Sequence, residues 1–214
     1  MSQKRFFVSG ISTEVGKTVC SALLVNALQA DYWKPVQSGD LHQTDTMRVA
    51  AWNGITLPNE RFHAETHRLT EPMSPHASAA IDGVHISLED FQMPETSKPL
   101  IVEGAGGLMV PLNDDDTILD LMAQLQIPVI LVSRNYLGSI NHTLLSVAQL
   151  RQRQVPIAGI VFNGPVNPST ESVIEHMTKI PVLFRIPELD HISLPAVQAL
   201  AEQFRPQILQ GLDV

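Results

Sequence analysis

An apolar run, Phe6-Phe7-Val8, leads into Gly10-Ile11-Ser12-Thr13-Glu14-Val15-Gly16-Lys17-Thr18, and a helix-forming stretch follows at once. No other segment constrains the fold so tightly. A strand that turns through a glycine-bearing loop into Gly-Lys-Thr aims backbone N–H groups and a helix N-terminus at one spot. That spot takes phosphate: the lysine adds a full charge and the threonine hydroxyl faces Mg²⁺. The usual pattern has about four residues between its glycines, whereas five separate Gly10 from Gly16. The order of strand, loop and helix carries the assignment. The competing reading is that Gly-Lys-Thr merely opens an ordinary helix.

The rest of the chain alternates β and α segments. Strands are expected at Arg5–Ser9, Tyr32–Val36, Pro99–Val102, Val129–Val132, Ile157–Phe162 and Val182–Ile186. Helices are expected at Lys17–Ala30, Asp45–Trp52, Ile118–Leu125, Ser139–Gln154 and Ser169–Lys179, with one more closing the chain. The stretch up to Pro99 is loop-rich, with short helical candidates near Ser78 and Leu88; residues 54–99 are a candidate lid. Strands that are apolar throughout, set between helices, predict an α/β fold: a mostly parallel sheet with helices on both faces, of the P-loop NTPase type. With no internal repeat or linker, residues 1–214 are expected to form a single ATP-binding catalytic domain.

A formal charge of −8 argues against an electrostatic hold on nucleic acid. No apolar run approaches the roughly 20 residues of a membrane span. Met1-Ser2-Gln3-Lys4-Arg5 runs directly into the first strand, so no signal peptide is expected. Cys20 is the single cysteine, which excludes an intramolecular disulfide and fits a cytoplasmic location.

In doubly wound sheets, ligands bind beyond the carboxyl ends of the strands. The second strand there offers Lys34-Pro35-Val36-Gln37-Ser38-Gly39. The strand Leu100-Ile101-Val102 offers Glu103 at its tip, the position expected to serve Mg²⁺, backed by Gly104-Ala105-Gly106-Gly107. Asn163, after Ile157–Phe162, carries an amide suited to reading a base edge.

These blocks, with Ser74-Pro75-His76, Leu137-Gly138-Ser139-Ile140-Asn141-His142 and Val161-Phe162-Asn163, come in the order seen in dethiobiotin synthetases. The chain resembles that family over about residues 3–190. The resemblance implies ATP-driven closure of a ureido ring on 7,8-diaminopelargonic acid with CO₂, through a carbamate and a carbamic–phosphoric anhydride. It implies catalytic roles for Lys34, Lys17 and Thr13, and an ATP site at Glu14, Val15, Gly16, Lys17, Thr18, Val19, Asn163, Pro187, Glu188 and Leu189. It further implies Mg²⁺ held by Thr18, Asp45 and Glu103, and contacts to the diamine or carbamate from Thr13 and Ser38. Gly138, Ser139, Ile140 and Asn141 are implied to hold the substrate carboxylate across a homodimer interface with shared sites. Charge neutralisation between two anions is the central demand, so Lys34→Ala is expected to abolish most turnover yet leave folding nearly intact.

Several residues carry a blander alternative. Lys34 alone would read as a surface lysine, Asp45 as a first-turn acid favoured by the helix dipole, and Ser139 or Asn141 as a helix cap. Asp114-Asp115-Asp116 reads as a solvated turn, and His63 and His67 as surface residues without a third ligand. The role of His76 stays open. Ser12 stands where the family usually carries an aspartate, and Phe184-Arg185 where a Gly-Glu pair is common, with Arg185 a candidate to alter the nucleotide edge. An altered, weakly active relative is therefore a second reading. A partition-type ATPase is a third, but its signature lysine, five residues before Lys17, is Ser12 here. An amidating ligase is a fourth, and it needs a cysteine-bearing glutaminase domain.

Overall fold

Arg5–Gly10 (β1) lies at the centre of a sheet whose seven strands all run parallel. The computed structural model describes residues 4–214; Met1, Ser2 and Gln3, on which the signal-peptide expectation partly rests, lie outside the described residues. The other strands are Asp31–Trp33 (β2), Val36–Ser38 (β3), Phe62–His63 (β4), His67–Leu69 (β5), Leu100–Gly107 (β6), Val129–Arg134 (β7), Ile157–Asn163 (β8) and Val182–Ile186 (β9). The large sheet runs β4-β2-β6-β1-β7-β8-β9, and β3 pairs with β5 in a separate parallel ribbon. After β1 the chain builds towards β2 and β4, and later returns to add β7, β8 and β9 on the other side. That reversal leaves a crevice at the carboxyl end of β1, where a doubly wound sheet receives ligands.

The helices are Lys17–Leu28 (α1), Asp45–Trp52 (α2), Pro75–Asp82 (α3), Ile118–Leu125 (α4), Ser139–Gln152 (α5), Pro168–Thr178 (α6) and Leu194–Leu212 (α7). α1 packs against α2, α7 and β6, and it is buried nearly all round because Val19, Leu23, Leu24 and Val25 meet the sheet and neighbouring helices. α5 packs on α6 and β7, while α4 covers β6. Phe7, Leu23, Leu24, Leu100 and Ile101 are wholly buried, each worth about 1.5–3 kcal/mol by transfer from water. Among the described residues no helix is long and apolar enough to cross a membrane.

Two sequence expectations need correction. The run Tyr32–Val36 is not one strand: β2 ends at Trp33 and β3 begins at Val36, in a different sheet. Pro35 cannot donate to a ladder, so the chain leaves the large sheet there. Nor does the third long strand end at Val102. β6 continues through the glycines to Gly107, which pairs with Gly10 after a register shift, so Glu103 sits mid-strand. The ribbon β3–β5 and the two-residue β4 were missed, being too short to show a period. The helical candidates near Ser78 and Leu88 are α3 and a 3₁₀ turn at Leu88–Asp90.

Candidate active site

The loop between β1 and α1 wraps the carboxyl end of the central strand. Gly16 precedes α1 with φ +94°, and no side chain caps the helix, so its first N–H groups face the crevice. A Cβ on Gly16 would fall 2.1 Å from Asn163 Nδ2, so only glycine lets β8 approach. Asn163 Nδ2 donates to the Val15 carbonyl at 2.9 Å, tying the end of β8 to the loop. One amide hydrogen of Asn163 is thereby spent on the backbone; its second hydrogen and its oxygen are left for a base edge.

A cavity of about 650 Å³ opens there. Thr13, Glu14, Gly16, Lys17, Thr18 and Val19 form its floor, and Asn163, Pro187, Glu188 and Leu189 one end. Lys34, Ser38, Asp45 and Glu103 form the opposite wall. Val15 turns its side chain into the core and contributes its carbonyl. The volume falls in the range of sites for small molecules.

At the wall, Lys34 sits on the seam between the two sheets and is 3 % exposed. Its Nζ lies 2.8 Å from Asp45 Oδ2 and 3.2 Å from Glu103 Oε1, and donates to the Gly104 carbonyl at 2.9 Å. Burial alone would depress this lysine, but Glu103 and Asp45 outweigh it and hold the ammonium above its ordinary value. Truncating Lys34 would leave both carboxylates without their ammonium, which argues against the expectation that folding stays nearly intact. Burial works against the Asp45 carboxylate, and Lys34 and Thr18 overcome it, so Asp45 titrates below its usual range. Asp45 is at once the first residue of α2, capped by Thr44 accepting from Met47 N at 3.2 Å, and a member of the site. Its two readings are compatible.

Thr18 Oγ1 is 2.9 Å from Glu103 Oε1 and 3.2 Å from Asp45 Oδ1. One hydroxyl and two carboxylates converging from α1, α2 and β6 form a hard-oxygen set of the kind Mg²⁺ takes. Tyr32, which sequence reasoning missed, donates its hydroxyl to Glu103 Oε2 at 2.9 Å. A phenol on a buried strand two residues before Lys34 was the available signal. Lys17 Nζ reaches the Ser12 carbonyl at 3.1 Å. Burial, then repulsion from Lys34, lowers Lys17 from 10.5 to about 8 against the pull of Glu103 and Asp45.

The family model for the AAA domain matches residues 4–196. Beyond that broad class, the chain is 46% identical over 207 residues to the ATP-dependent dethiobiotin synthetase of Christiangramia forsetii, covering 97% of this chain and 99% of that one. This chain belongs to the dethiobiotin synthetase family. The synthetase of Cytophaga hutchinsonii is 47% identical over 201 residues, covering 92% and 95%. A bifunctional biotin-biosynthesis protein of Bordetella avium is 46% identical over 198 residues, covering 92% of this chain and 42% of its own. Among solved structures, the Mg-ADP complex of the septum site-determining protein MinD from Pyrococcus horikoshii matches with a TM-score of 0.60 at 15% identity, covering 99% and 93%. A partition protein from Borrelia burgdorferi bound to AMPPNP gives 0.58 at 10% identity, covering 98% of each chain. Those likenesses concern the fold alone, a P-loop-type parallel sheet, and not the partition-type function.

Other residues expected in this dethiobiotin synthetase family site lie elsewhere. Gly138, Ser139, Ile140 and Asn141 open α5 and do not line the cavity of their own chain. Ser139 is buried with an Oγ that has no partner, whereas Ile140 and Asn141 are exposed. Ser38 Oγ, on the cavity wall, is likewise buried without a partner. Arg185 turns away from the nucleotide edge: its Nε donates to Glu171 at 2.6 Å and its guanidinium lies over the Phe162 ring. Pro72, Met73, Ser74 and Pro75 wall the cavity, so the loop-rich stretch does lend it one side, while His76 itself is not in the lining. Asp114–Asp116 form a turn in which the Asp115 and Asp116 N–H groups donate to Asn113 Oδ1. His67 pairs with Asp90 at 3.0 Å, and among the described residues no three His, Cys, Asp or Glu side chains group around a metal position.

Proposed function

We propose that the chain acts as one catalytic domain that closes a ureido ring on 7,8-diaminopelargonic acid, consuming ATP and CO₂ and releasing dethiobiotin, ADP and phosphate. One observation carries this reading within the family: two buried lysines and a hydroxyl–dicarboxylate set line one cavity. The reaction brings a carbamate anion to a triphosphate, so it needs concentrated positive charge and fixed positions more than it needs a nucleophile from the protein.

In this reading the amine of the substrate adds CO₂ and loses a proton, giving a carbamate. Its oxygen attacks the γ-phosphorus, ADP departs, and the second amine attacks the carbonyl, expelling phosphate as the ring closes. Lys17 and the N–H groups of α1 hold the phosphates, and Lys34 stands between the carbamate and the γ-phosphoryl group. Thr13 and the partnerless Ser38 hydroxyl orient the diamine end. Asn163 with Pro187, Glu188 and Leu189 receives the adenine. Thr18, Asp45 and Glu103 would hold Mg²⁺, which when bound neutralises phosphate charge.

The carboxylate tail is assigned to Gly138–Asn141 of a partner subunit in a homodimer. Supporting this, Leu137 is fully exposed and Met109, Ile140 and Leu145 are exposed around the start of α5, an apolar area that suits a second copy. The location is assigned to the cytoplasm. Incubating the protein with ATP, Mg²⁺, bicarbonate and the diamine, then detecting the cyclic urea by mass spectrometry, tests the whole reading. Product that depends on all four components is expected. A folded, ATP-binding protein that makes none overturns it, in favour of an altered relative with Ser12 as the lesion.

A further inference from the structure

We propose that Lys34 and the divalent cation compete for the same two carboxylates, so that loading the cation drives the Lys34 ammonium off them and into the cavity. This deepens the proposed function and rests on its placing of the cation at Thr18, Asp45 and Glu103. The first argument is valence. An ammonium has about three donor hydrogens, and Lys34 meets three acceptors: Asp45 Oδ2 at 2.8 Å, Glu103 Oε1 at 3.2 Å and the Gly104 carbonyl at 2.9 Å. None is left over for a substrate oxygen. To donate to a carbamate or a phosphate, Lys34 must first give one of these up.

The second argument concerns the acceptors. Glu103 Oε1 accepts from both Lys34 and Thr18, and Glu103 Oε2 accepts from Tyr32. Asp45 is shared in the same way, Oδ2 with Lys34 and Oδ1 with Thr18. The oxygens a cation needs are thus already held by the lysine and the threonine. Thr18 gives way at no electrostatic cost, because a hydroxyl can turn from donating to ligating. Lys34 cannot, because its charge has the cation's sign.

The third argument is charge. Glu103 is wholly buried and carries no exposure to water that would screen it. Lys34 and Arg48, whose Nη1 lies 3.8 Å from Asp45 Oδ1, already match the two carboxylates in charge. A dication added while Lys34 stays would overfill the site with positive charge, so its arrival favours the lysine's departure. The exchange has a direct chemical use: the lysine is sequestered until the metal arrives, and is then released beside the reacting oxygens. Metal loading would thereby arm the catalytic lysine.

Titrating Mn²⁺ into the nucleotide-free protein, with free Mn²⁺ followed by electron paramagnetic resonance, reads the competition without any turnover. Lys34→Met is expected to bind Mn²⁺ about tenfold more tightly than wild type, the scale of one lost charge–charge competitor. Equal or weaker binding, or none by either protein, overturns the proposal. A second measurement needs no variant: acetylation of Lys34 by acetic anhydride, read by mass spectrometry, is expected to speed several-fold when Mg²⁺ is added to wild type. An unchanged or slower rate overturns the proposal as well. Asp45→Asn separates the two layers of the reading. It should weaken Mn²⁺ binding; if it does not, the cation site itself is misplaced, not only the exchange.

Discussion

Arg134 Nη2 reaches Glu188 across the end of β8, 2.9 Å from Oε1 and 3.2 Å from Oε2. The clasp links the last residue of β7 to the turn after β9, and both residues line the cavity. It passes close over Gly164: a Cβ there would lie 3.0 Å from Glu188 Oε2 and 3.5 Å from Arg134 Cζ.

Arg134→Ala is expected to loosen the nucleoside end without unfolding the protein. Both side chains are more than a third exposed, so the pair contributes less than about 1 kcal/mol to stability. The KM for ATP should rise about threefold to tenfold, with kcat little changed, as for a group that contributes only uniform binding. Steady-state kinetics with ATP varied would show it, and an unchanged KM would remove the clasp from nucleotide binding.

Lys34→Ala should cost stability as well as activity. Leaving Asp45 and Glu103 without their ammonium is the breaking of a buried pair, worth about 3–5 kcal/mol. Urea denaturation of the metal-free protein should show the loss, and a midpoint equal to wild type would contradict the geometry at the wall.

ATP binding should weaken in alkali because of Lys17. The lysine titrates at about 8 when no ligand is bound, against 10.5 ordinarily, so its charge is complete only below that pH. Affinity measured by calorimetry should therefore fall about tenfold or more from about pH 7 to about pH 10. Lys17→Arg should flatten the profile. Stability runs the other way. Between about 8 and 10.5 the unfolded chain holds the proton that the folded chain has lost, so this group favours folding more as pH rises.

Arg185→Ala should affect the fold and not the nucleotide. Its partner Glu171 is buried and also accepts from Asn135 Nδ2 at 2.8 Å and from Asn167 N at 3.3 Å, so two of its three donors survive. A loss of about 1–2 kcal/mol is expected, with the KM for ATP unchanged. A rise in KM alone would restore Arg185 to the nucleotide edge.

What could be read in advance followed the length of each signal. β1, the phosphate loop and α1 form a continuous run of local cues, and the long apolar strands announced a parallel sheet by their composition. The search by strand ends then led to Lys34 and Asn163, and also to Glu103, although β6 runs on past it to Gly107. Arg134 and the β3–β5 ribbon were not visible, and Tyr32 showed only as a phenol close before Lys34, because their roles arise from contacts between distant segments. Tyr32 meets Glu103 across 71 positions of sequence, and Arg134 meets Glu188 across 54. Arg185 misled for the same reason: its neighbours in sequence lie at the nucleotide end, but its side chain turns towards α6.

The break at Lys34-Pro35 divides the pocket between two supports. The phosphate loop, Glu103 and Asn163 stand on the large sheet, whereas Ser38 stands on the small ribbon, with Pro72 and Ser74 just beyond its other strand. Changes confined to the ribbon and its loops would therefore reshape one side of the pocket while leaving the phosphate loop, Glu103 and Asn163 in place. Lys34 stands at the junction of the two supports, so a shift of either one moves its ammonium.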